Sequence, residues 1–532
     1  MSGNDRLHYT EDEAIPGIIK RANDYYSERQ LLLSRDKNPM KADLKFRVRQ
    51  LQKLYYSIKD NQELIIDALM RDFHRARQET LSLELIPLLN DILLMVKKLP
   101  QWMTPKKVRD HTPMFAFGSI QVEKIARGTA LVIAPSNFPL LLALTPVGNA
   151  IAGGNAVLLK PSELTENVAQ IMEKIIRDAD LAPGLVQVVQ GGIPQTTKLI
   201  EDPRLDVIFY TGSPKVGSII ASAAAKNLVP CVLELGGKSP VFVTENLGRN
   251  KLRKALKRIF FGAFANSGQL CVRPDYVLVH ESVYQEFISQ ARTVLNELFP
   301  QLDHETEFTH MISRAAFDKT LSKLEQTKGT PVVPRSTVVD QDNKDAECLF
   351  FPPTLVEDVQ WGDALMTEEN FAPVLPILKY EDLDTAIDNV LMYHDTPLAK
   401  YIFSESTQDV NHILARVRAG DCCVNETVIH VGIQQAPFGG IGQSGYGNYG
   451  GCYGFNAFTH ERTVFKQPFW MDFMTSMRYL PYSKRKTQLV QMATEAKPDF
   501  DRKGKKKWSF VKLATFVSFL VLFISYMLND CS

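Results

Sequence analysis

Between residues 115 and 245 the chain switches repeatedly between two textures, and this switching restricts the fold more than any other feature. Short β-branched runs are TALVIAP (129–135), AVLLKPS (156–162), VQVVQGG (186–192), VIFYTGS (207–213), CVLELGG (231–237) and VFVTE (241–245). Helix-length segments such as ENVAQIMEKIIRDA (166–179) separate them. Runs this apolar suit strands buried on both faces, and helices between parallel strands supply that cover. The alternation predicts an α/β fold with a doubly wound parallel sheet. Its ligand crevice lies beyond the carboxyl ends of the strands.

The rest of the chain is organised around that block. Residues 1–114 are helical in pattern. Within 42–73, Leu44, Val48, Leu51, Leu54, Ile58 and the run from Leu64 to Leu69 recur at helical spacing. Residues 246–439 repeat the αβ texture and form a second domain, after a dinucleotide-binding domain at 128–245. Residues 437–455 are glycine-rich, and 467–507 form a C-terminal extension and basic linker. In that extension Trp470, Phe473, Met474, Met477 and Leu480 fit one helical face. It either packs on the body or covers a tunnel mouth.

Net charge is +1, so there is no overall basic signal for nucleic acid. The basic run Lys251, Arg253, Lys254, Lys257 and Arg258 reads as a solvated helix face. Seven cysteines without C-x-x-C spacing point away from a disulfide framework and from structural zinc, so no metal is expected. The N-terminus lacks the apolar core of a secretory signal and is not an Arg-rich transit peptide. Trp508–Leu528 (WSFVKLATFVSFLVLFISYML) carries a single charge, Lys512. A helix of that length spans roughly 30 Å, the depth of a bilayer core. The basic cluster RKGKKK (502–507) precedes it and suits anionic headgroups. The expectation is a C-terminal transmembrane tail anchor at 508–528 with the body in the cytosol. The receiving membrane is the mitochondrial outer membrane, endoplasmic reticulum or lipid droplet.

Several short motifs occur in a fixed order: PSNFP (135–139), KPSE (160–163), FYTGS (209–213), LELGGKSP (233–240), SGQLC (267–271), EENFAPVLP (368–376) and PFGGIGQSGYG (437–447). Each alone is weak; GSPKVG (212–217), for example, is not the G-x-G-x-x-G fingerprint. Together, from about residue 40 to 465, they resemble the aldehyde dehydrogenase superfamily. The terminal extension and anchor look most like its class 3, membrane-bound fatty aldehyde dehydrogenases.

The resemblance implies the roles of particular residues. Cys271 matches the nucleophile, a soft sulfur suited to forming a thiohemiacetal and then a thioester. Asn137 matches the side-chain donor to the oxyanion, with the Cys271 N–H as second donor. Glu234 matches the base for thioester hydrolysis, a task suited to a carboxyl raised toward neutrality by burial. Lys160 and Glu163 fall to the adenosine ribose. Gly212, Ser213 and Gly217 fall to the pyrophosphate, Glu369 to the nicotinamide ribose, and Phe371 beside the ring. Glu163 favours NAD, with NADP also possible. Asn425 matches a family asparagine near the site.

The fold implied is a dinucleotide-binding domain, an α/β catalytic domain and a small β bridging element from 115–127 and 440–466, through which class 3 relatives dimerise; a homodimer is expected. Two departures stand out. Ser136 replaces the usual Trp, and the Glu234–Cys271 span is slightly long, with the extra residues assigned to 245–251. The expected reaction is aldehyde + NAD⁺ + water → carboxylate + NADH, on long-chain fatty aldehydes or alternatively benzaldehyde-type substrates. An inactive membrane-bound scaffold is the alternative of another class. It need not keep Asn137, Glu163, Glu234, Cys271 and Glu369 together, and all five are present.

Overall fold

The computed structural model describes residues 7–110, 115, 117–337, 344–496, 498–506 and 521. The expected span 508–528 lies outside the described residues except for Val521. Among the described residues no helix is long and apolar enough to cross a membrane. The chain divides into two compact units, residues 1–102 with 125–460, and residues 103–124 with 461–532.

The first unit contains two sheets. The strands of one are β3 (Thr129–Ile133), β4 (Ala156–Lys160), β5 (Val186–Val188), β6 (Val207–Gly212), β7 (Cys231–Leu235) and β15 (Gly445–Tyr446). Their order is β15-β7-β6-β3-β4-β5, parallel except for β15. From β3 the chain proceeds to β4 and β5 on one side, then returns to β6 and β7 on the other. The β3/β6 boundary is therefore a topological switch point, where a crevice opens beyond the carboxyl ends. Ile133 lies opposite both Lys160 and Tyr210, so the PSNFP, KPSE and TGS segments leave the sheet along one edge.

The strands of the other sheet are β8 (Pro240–Val243), β9 (Tyr276–His280), β10 (Thr330–Val332), β11 (Thr354–Glu357), β12 (Val374–Tyr380), β13 (Ala399–Phe403) and β14 (Asp421–Val424). The order is β10-β11-β12-β9-β8-β13-β14, parallel except for β10. VFVTE, expected with the first sheet, pairs instead with β9 and β13. Its apolar pattern is that of any doubly covered strand and carries no sheet address. The boundary between the sheets thus falls at residues 236–239.

Local chemistry explains the helix ends that matter. Ser213 caps helix Pro214–Lys226, accepting from Val216 N–H at 3.4 Å, with Pro214 in the first turn. Helix Leu141–Gly153 stops at Gly154 with φ +88°, where a Cβ would also overlap the Arg47 guanidinium. Leu131, Leu158, Ile208 and Leu233 are buried in one core, with Ile15 and Ile19 of the first helix against them. Each such side chain contributes about 1.5–3 kcal/mol.

The second unit holds a three-stranded sheet of β1 (Lys106–Val108), β2 (Ser119–Ala126) and β16 (Thr459–Lys466). The expected bridging range began at 440. However, β15 completes the first sheet, and residues Gly451–Ala457 form a helix packed on Leu141–Gly153. Segment 469–478 is not one amphipathic helix but three short turns, with Trp470 and Leu480 exposed and Met477 buried.

Candidate active site

Cys271 follows helix Arg249–Phe264 through a tight turn and precedes β9. Asn266, Ser267 and Gly268 have φ of +52°, +54° and +69° in succession. At Gly268 a Cβ would overlap the carbonyl of Ala372, so glycine is required on both counts. Left-handed non-glycine residues cost roughly 1–3 kcal/mol each, and persist only where their surroundings fix them.

Those surroundings form a buried polar network. Arg75 and Glu84, both fully buried, form an ion pair. Arg75 Nη2 donates to the carbonyl of Asn137 at 2.7 Å and also to Oδ1 of Asn266. Asn266 Nδ2 donates to the same Asn137 carbonyl at 3.0 Å and to Gln269 O at 3.1 Å. Asn137 Nδ2 donates to Gln269 O at 3.0 Å. One amide hydrogen of Asn137 is thereby fixed two residues from the thiol, and the other remains available to an oxyanion. Glu84 accepts from the N–H groups of Leu140 and Leu141 at 2.9 and 3.0 Å, tying PSNFP to the helix that follows.

The carboxyl side of the site is built differently. Glu234, on β7 opposite Thr211, is buried, and neither carboxyl oxygen has a partner among the described residues. Desolvation, then the charge of Asp421, pushes its pKa well above the ordinary carboxyl range. Glu369 packs so closely on Gly236 that a Cβ there would overlap its carboxylate. Burial, then Asp275, pushes Glu369 up to about 8 against the pull of Arg273 and Lys238. Burial and the charges of Glu369 and Glu234 push the Cys271 thiol up to about 12. The two carboxyls are thus close enough to the sulfur to bear on it.

The loop carrying Glu369 is anchored by buried charges. Asp275 pairs with Lys238 and Arg273 and accepts from Asn370 N–H at 3.1 Å. Lys238 also donates to the carbonyls of Leu365 (2.7 Å) and Glu368 (3.0 Å). Phe371 follows with φ +50°.

A model of the aldehyde dehydrogenase family matches residues 35–464. The chain belongs to the aldehyde dehydrogenase family. It is 52% identical to a fatty aldehyde dehydrogenase of Saccharomyces cerevisiae, covering 100% of this chain and 99% of the relative. It is 34% identical to a dimeric NADP-preferring aldehyde dehydrogenase of Canis lupus familiaris over 84% of this chain and 95% of that one. The structure of the substrate-bound state of Staphylococcus aureus AldH superposes with a TM-score of 0.81 at 33% identity, covering 90% of this chain and 98% of that chain. The protein is accordingly an oxidoreductase acting on aldehydes.

The crevice of this aldehyde dehydrogenase fits the nicotinamide dinucleotide that the family uses. Helix Pro214–Lys226 presents an exposed amino end beside Gly212 and Ser213, where backbone N–H groups favour phosphate. Lys160, the last residue of β4, ion-pairs with the partly exposed Glu163. Glu369 Oε1 has no partner among the described residues. Gly217 faces inward: a Cβ there would lie 2.6 Å from Leu235 Cδ2. The missing side chain allows close helix–sheet packing. Asn425 follows the carboxyl end of β14, and its amide is taken by the backbone of Ser404, accepting at 3.1 Å and donating at 3.0 Å. The loop 244–248 follows the carboxyl end of β8, whereas Cys271 precedes the amino end of β9. With Pro240 opposite Tyr276, these are opposite edges of the sheet. Sequence reasoning missed Arg75, Glu84, Asn266, Gln269, Lys238 and Arg273. Lys238 lies in LELGGKSP, Gln269 in SGQLC, and Asn266 and Arg273 just outside it, but nothing in one sequence marks them as buried.

Proposed function

We propose that this enzyme oxidises long-chain fatty aldehydes to carboxylates with NAD at a membrane surface. The observation that carries the reading is Cys271 held between a fixed asparagine amide and two buried carboxyls, of which Glu234 has no hydrogen-bond partner among the described residues. The Cys271 thiol gives its proton to solvent water and its sulfur bonds the aldehyde carbon as the C=O π pair moves to oxygen, where the Asn137 amide and the Cys271 N–H stabilise the oxyanion. A bound nicotinamide would supply the hydride acceptor. Glu369 would hold its ribose, Phe371 would pack beside the ring, and Glu163 would take the adenosine ribose, disfavouring a 2′-phosphate. Glu234, kept basic by desolvation, removes a proton from the water that hydrolyses the thioester.

Full-length identity to a yeast fatty aldehyde dehydrogenase supports the substrate class. Each buried methylene adds about 0.8 kcal/mol, so a long chain supplies much of the binding. The apolar span 508–528 and its basic approach support a tail anchor with the body on the cytosolic side, in the mitochondrial outer membrane, endoplasmic reticulum or lipid droplet. A homodimer through the small three-stranded sheet follows the dimeric dog relative, whose NADP preference makes the cofactor comparison part of the test. NADH formation from hexadecanal, against benzaldehydes and with NADP in place of NAD, measures each preference. Equal rates for wild type and Cys271→Ala overturn the mechanism. Deletion of 508–532 releases the protein from membranes; retention overturns the anchor.

A further inference from the structure

Oxidation of an aldehyde to a carboxylate by a hydride acceptor releases two protons per turnover, and Glu234 is too buried to pass its own to bulk water. A cavity of about 170 Å³ adjoins the site, lined by Asp91, Asp421, His430, Gln434, Phe438 and Tyr449. Tyr449 links the two: the charges of Glu234, Cys271, Asp91 and Asp421 all bear on its phenol. Its backbone pairs with Phe438 in both directions at 2.8 Å.

The lining is rich in groups outside the chemistry described above. Asp421, the first residue of β14, has a buried Oδ2 without a partner among the described residues. Both ring nitrogens of His430 are likewise buried and unpartnered there. Among the described residues Asp91 accepts only long bonds, from Thr145 at 3.3 Å and Gln434 at 3.4 Å. Burial pushes Asp91 and Asp421 up to about 6 each and holds His430 down at about 4. Near neutrality the two carboxyls therefore exchange protons easily. Asp421 is also linked by charge to Glu234 on β7, Cys422 and Cys423 on β14, Tyr401 on β13, and Tyr449. The cation on the neighbouring strand, Lys400, turns away onto the carbonyls of Ile413, Leu414 and Val417.

We propose that Asp421 takes the proton from Glu234 and that this cavity, with Asp91 as second carboxyl, carries it to solvent. The inference rests on Glu234 being the hydrolytic base. In hydrolysis a water O–H bond breaks, its proton joins the Glu234 carboxylate, and the oxygen bonds the acyl carbon. The C–S bond then breaks, its electron pair returning to the Cys271 sulfur. Glu234 next loses the proton, through water rather than by a direct hydrogen bond, to the Asp421 carboxylate, from which it passes to bulk water. Asp421 touches neither aldehyde nor cofactor; it acts through Glu234.

The test is made on the full chain, acylated at Cys271 with a p-nitrophenyl ester, by following loss of the adduct by mass spectrometry. Asp421→Asn should slow deacylation by at least about fivefold, with the rate recovering as formate or imidazole buffer is raised. Asp421→Glu should retain the wild-type rate, and Asp91→Asn should fall between. If Asp421→Asn does not fold, the Asp91→Asn rate and its buffer dependence decide. Deacylation by the folded variants within about twofold of wild type overturns the relay. So does a raised aldehyde KM with unchanged deacylation, which would give the cavity to substrate. A Glu234→Gln enzyme that deacylates normally would instead refute the base.

Discussion

The two walls beside Cys271 are built on opposite principles. On the asparagine side, Arg75, Glu84, Asn137, Asn266 and Gln269 link buried donors to buried acceptors. On the carboxyl side, Glu234 is equally buried and has no hydrogen-bond partner among the described residues. A satisfied buried network rigidifies, whereas an unsatisfied buried carboxyl stores free energy as a shifted pKa. The groups that hold the geometry are each tied by several hydrogen bonds; the group assigned to move a proton has none among the described residues.

Substitution can break this contrast. Glu234→Gln should lower kcat by a factor on the order of 10²–10⁴, while thermal unfolding shows Tm unchanged or raised, since the carboxyl has no bond to lose. A fall in Tm would mean that the side chain is structural. Arg75→Met should do the reverse and destabilise by about 3–5 kcal/mol, because Glu84 is left as an unpaired buried charge. Denaturant unfolding measures this, and an unaltered midpoint would remove the clamp from the account. Activity of whatever protein remains folded should also fall as Asn137 loses its anchor.

The thiol lies between the two walls and feels both. Burial and two carboxyls raise the Cys271 pKa, so its thiolate is scarce at neutral pH in the free enzyme. Alkylation by iodoacetamide without cofactor should accelerate about tenfold per pH unit from 7 to 10, with no plateau. A plateau near pH 8 would place the thiol in a different field. The smallest effect belongs to the rim of the crevice. If the Glu163 carboxylate faces the adenosine ribose as proposed, Glu163→Gln should raise kcat/KM with NADP relative to NAD severalfold. An unchanged ratio would move discrimination elsewhere.

The strands were legible because their apolar runs are long and their separators helical. TALVI, AVLLK and VIFYTG occur as β3, β4 and β6. Sheet membership was not legible, since β7 and β8 have the same texture yet belong to different sheets. Motif order brought Asn137, Glu234, Cys271 and Glu369 into view, and the fold gathers them around one sulfur. The partners of Asn137 are another matter: Arg75 is 62 residues away and Asn266 is 129, separations that carry no periodicity. Gly217 illustrates a further limit. Sequence shows that a side chain is missing, while only packing against Leu235 shows why. Asn425 and Asp421 bracket the same strand. The ordinary-looking acid at its amino end is the one whose charge bears on Glu234.

The chain crosses from one sheet to the other within residues 236–239, between Glu234 and the strand that pairs with β9. Gly236 makes room there for Glu369, and a Cβ at Gly237 would press on the backbone of Leu398 at 3.0 Å. A gene divided at that point would yield two fragments whose new ends both fall inside the reaction centre. Split-enzyme reporters and circular permutants of this scaffold should therefore be cut elsewhere, since both seam glycines are already hemmed in by their neighbours.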